Sequence, residues 1–128
     1  MSLLALLLSA KIIVTVFMVS IPFLFLPTAT VGRLSGYGGA PTVFYRLYGA
    51  AITALLVAYG FGLASTLSGT FPWSAVVMGI ASNVGASSFM ILHGEARTKP
   101  APTAFFSTIG IGFVASALAP STMIAPLW

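Results

Sequence analysis

Four stretches of this chain are each long and apolar enough to cross a lipid bilayer, which takes about 20 mostly apolar residues. The first runs from Leu3 to about Leu26 and is broken only by Lys11. The second runs from Phe44 to about Thr66, with Arg46 near its start. The third covers Phe71 to about His93, and the fourth covers Thr103 to about Pro120. Between them little chain is left over. Six formal charges (Lys11, Arg33, Arg46, Glu95, Arg97 and Lys99) make up 5% of the 128 residues, against about 25% in a soluble domain. Six charges cannot clothe a water-soluble surface of this size. The expected fold is therefore an all-α integral membrane protein: a four-transmembrane-helix bundle, one domain over residues 1–128.

The connections suit this reading. Pro27–Val43 is rich in Gly, Thr and Pro and reads as a loop; Ser65–Thr70 reads as a tight turn ahead of Pro72; Gly94–Pro102 holds three charges and two prolines. Gly36, Gly38 and Gly39 match no phosphate-binding fingerprint, since no strand precedes them and no P-loop lysine follows. Pro22 should kink the first helix or end its regular part. The apolar run from Met1 lacks a basic start and continues past Lys11, so it reads as an uncleaved helix. Basic residues set orientation. Arg33 and Arg46 flank the first loop, and Arg97 and Lys99 lie in the third. With four spans these loops share one side, the cytoplasm, which puts both termini on the other. The expected location is the inner (cytoplasmic) membrane, as a multi-pass protein.

The composition also excludes chemistry. There is no Cys, no Asp and no Gln, with one Glu, one His and one Asn. That removes thiolate nucleophiles, carboxylate pairs and catalytic triads, and one His with one carboxylate cannot complete a tetrahedral metal site. The net charge of +4 is a topology signal and not a nucleic-acid footprint, which needs a dense basic patch. No soluble substrate is implied, and the chain is not expected to be an enzyme.

In lipid, helices associate by close backbone approach. Ala50, Ala54, Ala58 and Gly62 recur every fourth residue in the second span; Ala75 and Gly79 lead to Asn83 in the third; Thr108, Gly112 and Ser116 mark the fourth. These stripes are expected to be the packing seams. The first span has none, and is expected to face lipid, a bulky cofactor or a partner.

Three residues carry sharper possibilities. Lys11 would lie about 12 Å along its helix, where a charge costs about 2.5–3.5 kcal/mol and marks function by default. It either snorkels to the interface or pairs with an anionic group. Asn83, mid-span, either bonds across or within helices or lines a polar path. His93 either caps its helix or ligates a haem iron or pigment magnesium, since neutral imidazole has one free lone pair. Arg33, Arg46, Arg97 and Lys99 are expected at lipid phosphates and the interface. Pigment, quinone and haem all stay open as cofactors, and none is required. Small multidrug transporters share this size and span count, but they depend on a Glu inside the first helix; here Lys11 stands in that helix and the only Glu, Glu95, is in a loop. The leading functional expectation is a non-catalytic accessory subunit of a larger membrane complex, photosynthetic or respiratory, held by lipid and partner subunits. The alternatives are a small homo-oligomeric transporter or channel, and a haem- or pigment-binding protein using His93.

Overall fold

The computed structural model describes residues 1–128 and contains helices only, apart from one isolated bridge. In chain order these are α1 (Leu3–Thr15), a π-helical turn (Val16–Ser20), α2 (Ile21–Phe25), α3 (Thr28–Ser35), α4 (Thr42–Leu67), α5 (Trp73–Leu92), α6 (Glu95–Thr98), α7 (Pro100–Leu118) and α8 (Pro120–Ile124). Four helices are long and apolar enough to cross a membrane: Leu3–Phe25, Thr42–Leu67, Trp73–Leu92 and Pro100–Leu118. The chain divides into two compact units, Met1–Ser9 with Phe61–Trp128, and Ala10–Gly60.

Two loops hold more structure than their composition suggests. Pro27–Val43 contains α3, which starts after Pro27 and closes on Gly36 in the left-handed region, φ 73°. Gly94–Pro102 contains α6 and the first turn of α7. The fourth span therefore begins at Pro100, not Thr103. Pro100 and Pro102 do not prevent this, because first-turn amides have no partner in the helix and a proline loses nothing there.

The first span is not apolar all round in its packing, as its composition suggests. Leu4, Leu8, Lys11 and Thr15 are buried at alternating steps of four and three residues, while Leu3, Ile13 and Val14 are exposed. The next buried residue is Ser20, five residues on. The π-helical turn supplies the extra residue, with the Ile21 amide donating to the Val16 carbonyl. Pro22 gives the local reason. It has no N–H, and its ring would clash with the carbonyl four residues earlier in a regular α-helix. The wider turn absorbs that conflict, so the helix continues through Pro22 where a kink or stop is expected.

In the Met1–Ser9/Phe61–Trp128 unit, α5 and α7 run antiparallel. The Phe113 ring lies over Gly79, Val84 faces Gly110, and Thr103 Oγ1 approaches Met90 Sδ at 3.8 Å. A Cβ at Gly79 would stand 2.5 Å from the Phe113 ring, so only glycine fits there. Gly62 likewise lies on Ala75, whose Cβ would be 2.5 Å from an added one, and Gly112 lies on Leu7. The two chain ends meet through the Ser2–Pro126 bridge and a Leu127 amide to Met1 carbonyl bond of 3.1 Å. Ser2 Oγ also caps α1, accepting from the Ala5 amide at 3.2 Å.

In the Ala10–Gly60 unit, the first span and α4 are also antiparallel. Ser20 Oγ meets Thr53 Oγ1 at 2.8 Å, and Gly49 lies under Phe23 and Leu24. α3 folds against the start of α4, where Thr28 Oγ1 bonds Thr42 Oγ1 at 2.8 Å and Gly32 lies beside the Tyr45 hydroxyl.

Candidate functional site

The small-residue stripe expected on α4 is corrected. Ala50 and Ala54 are exposed, Ala58 is half-buried, and only Gly62 is buried. The reason is helical geometry. A four-residue step turns a helix by about 400°, so three such steps from Ala50 to Gly62 rotate about 120° around the axis. The buried face of α4 instead carries Tyr45, Gly49, Leu56, Tyr59 and Thr66, with Ile52 and Leu63 half-buried between them. That is the alternating four-and-three spacing that keeps residues on one side of a helix. On α5, Ala75, Gly79 and Asn83 are all buried, and so is Ser87, one step further on. A four-step ridge is inclined to its axis and stays covered where a neighbour follows it; Phe113 and Gly110 of α7 supply that cover. On α7, Ser116 is buried and Gly112 half-buried, but Thr108 is exposed. Ile109, Gly110 and Phe113 take the seam there.

Several polar side chains inside the spans are bonded to their own helix. Asn83 is fully buried, and its Nδ2 donates to the Gly79 carbonyl at 2.8 Å. Thr53, Thr66 and Ser116 donate to the carbonyls four residues back at 2.7–2.8 Å. Ser87 donates to the Val84 carbonyl at 3.1 Å. Such bonds keep a hydroxyl satisfied in an apolar medium without calling on another helix.

Lys11 is only 5% exposed and shares the buried face of α1 with Thr15, one turn on. Thr15 Oγ1 is buried and makes no protein hydrogen bond. Sequence reasoning passes over Thr15, although its four-residue spacing from Lys11 is visible. Neither does it find the Ser20–Thr53 pair, whose register depends on the π-helical turn.

Arg46 does not present its whole guanidinium outward. Nη1 donates to the Phe23 carbonyl at 2.6 Å and Nη2 to the Leu26 carbonyl at 2.8 Å. These carbonyls end the first span, where a helix leaves its last acceptors without amide partners. A cation there also meets the negative end of the helix dipole. Arg33, in the last turn of α3, is exposed. Lys99 is tied to Glu95 at 2.6 Å across one turn, while Arg97 is exposed.

His93 ends α5 and is exposed. Its Nδ1 lies 2.9 Å from the Phe89 carbonyl. A carbonyl can only accept, so Nδ1 is the protonated nitrogen and Nε2 points away from that bond. Gly94 follows at φ 76°, a turn that other residues resist, and this stops the helix. No group of three or more His, Cys, Asp or Glu side chains comes together anywhere in the chain.

These observations define an all-helical chain with four helices suited to a multi-pass membrane protein. No protein-family model, no curated protein and no solved structure matches it.

Proposed function

We propose that the chain is a non-catalytic accessory subunit of a larger assembly in the inner membrane, with both termini on the non-cytoplasmic side. The observation that carries this reading is the disposal of its polar groups. Ser87, Thr66 and Ser116 bond within their own helices, while Phe17, Phe61, Ile111 and Leu118 stand outward. Such a chain offers apolar helix faces to lipid and partner subunits and keeps little reactive chemistry at its surface. The experiment is extraction from the native membrane in mild detergent, with identification of everything that co-migrates. A stoichiometric complex with larger subunits is the expected result. A small, self-associated particle would sink the reading.

One observation favours a second reading, a small homo-oligomeric transporter. Lys11 and the unbonded Thr15 hydroxyl share one buried helix face, and ionisable groups inside a membrane commonly mark substrate or ion paths. On this reading Lys11→Leu abolishes flux in reconstituted vesicles, and an active Lys11→Leu protein ends it. The outward Nε2 of His93 is compatible with haem or pigment ligation. That reading requires a visible absorption band in the native protein which His93→Ala removes.

A further inference from the structure

We infer that the Ala10–Gly60 unit carries a binding site for one anionic phospholipid, with an acyl chain in a groove beside the π-helical turn and the phosphate at Arg46 and Arg33. The groove, about 440 Å³, opens between Val16, Ile21, Leu24 and Phe25 of the first span and Leu56 and Val57 of α4. The two hydroxyls that also line it, Ser20 and Thr53, bond to each other at 2.8 Å and so leave an apolar wall. Phe25 and Val57 are 75% and 57% exposed, so the groove is open on its outer side. Within a span, what lies outside is acyl chain.

Charge decides which lipid. This unit holds Lys11, Arg33 and Arg46 and no acidic residue, since the only carboxylate side chain in the protein is Glu95. Arg46 stands at the end of the groove. Its guanidinium bonds the carbonyls of Phe23 and Leu26, which bracket the lining residues Leu24 and Phe25. On α4 it is seven residues before Thr53, which is two turns, about 10 Å, along the same face. A guanidinium has five N–H donors, and these two bonds leave others for a phosphate. Arg33 is one residue from Gly32, which lies beside the hydroxyl of Tyr45, the neighbour of Arg46. The two arginines thus share one end of the spans, as the headgroup of a lipid seated in the groove requires. A zwitterionic lipid would bring its own cation to this cationic end; an anionic one would not.

The test uses the full chain in phosphatidylcholine vesicles with trace spin-labelled phosphatidylglycerol or phosphatidylcholine. Electron spin resonance reads the motionally restricted fraction of each. The expected preference for phosphatidylglycerol is roughly fivefold for each arginine engaged. Arg33→Gln should lower it by about that factor. Val57→Trp, which fills the groove from its exposed side, should remove the preference while circular dichroism shows unchanged helix content. Equal restriction of the two lipids by the unaltered protein would overturn the site. So would a preference that survives Val57→Trp, which would mean attraction to surface charge alone.

Discussion

In α5 and α7 two glycines lie under side chains of the other helix; in the Ala10–Gly60 unit the first span and α4 meet over one such glycine and add a hydroxyl pair and an arginine. The first contact places Phe113 on Gly79 and Val84 on Gly110. The second has Phe23 and Leu24 on Gly49, the Ser20–Thr53 bond and Arg46 on two terminal carbonyls. Lipid gives two helices no hydrophobic reason to associate, so contact must come from dispersion at close range or from polar bonds. One region relies on the first and the other leans on the second. A glycine seam is intolerant of added atoms. A contact held by polar bonds tolerates added volume better but fails when a donor is removed.

The strongest way to break this comparison is Gly79→Leu. A single added carbon at this position already falls 2.5 Å from the Phe113 ring, and Phe113 is fully buried with nowhere to swing. Overpacking of this kind costs about 3 kcal/mol. Reversible unfolding in mixed micelles measures it. Wild-type stability in Gly79→Leu would show that α5 and α7 do not meet over this glycine.

Next in size is Arg46→Met in the other region. It keeps the apolar stem and removes two charge-assisted bonds to the Phe23 and Leu26 carbonyls. The expected loss is about 2 kcal/mol. Arg46→Lys should recover only part of it, because an ammonium lacks the planar fork that spans two acceptors. Full rescue by lysine would reduce the role of Arg46 to its charge.

The same substitution in both regions sharpens the contrast. Gly49→Ala puts a carbon 3.0 Å from Phe23 Cβ and 3.1 Å from Leu24 Cγ. A shift of a few tenths of an ångström relieves this, since the neighbouring groove leaves room to move. The expected cost is about 1 kcal/mol, below that of Gly79→Ala. Gly85→Ala, with open space around the added carbon, should gain up to about 1 kcal/mol from helix propensity. A Gly49→Ala costlier than Gly79→Ala would show that the contact least tolerant of added atoms lies in the Ala10–Gly60 unit.

How much of this is legible in the sequence follows from what each residue depends on. The four spans are legible because length and apolarity belong to each stretch by itself and not to its neighbours. On α5 the spacing of Ala75, Gly79 and Asn83 coincides with a buried ridge because Phe113 and Gly110 of α7 cover it; sequence reasoning passes over Ser87, which extends that ridge. Ala50 and Ala54 show the same spacing and face outward, so spacing without the neighbour's path is ambiguous. The buried place of Lys11 is visible only once Leu4, Leu8 and Thr15 are recognised as one seam. Apolar residues all round the first span conceal that seam. The inward turn of Arg46 depends on where the first span ends, and that in turn depends on the extra residue of the π-helical turn, which Pro22 hints at and does not locate.

The smallest effect tests the hydroxyl pair. Ser20→Ala removes the 2.8 Å bond to Thr53 Oγ1, yet Thr53 keeps its own bond to the Gly49 carbonyl at 2.7 Å. No buried acceptor or donor is orphaned on α4, so the large penalty for an unsatisfied group does not arise. A double-mutant cycle with Thr53→Ala should give a coupling of about 0.6 kcal/mol, the usual size for such a bond inside a membrane. A coupling above roughly 1.7 kcal/mol, the top of the range for such bonds, would make the pair a principal hold between the first span and α4. The register set by the π-helical turn would then be fixed from both ends, by Arg46 at the helix terminus and by Ser20 within the turn. A coupling near zero would leave Arg46 and the Gly49 contact to set it, and would predict that Ser20→Ala preserves the groove while Arg46→Met does not.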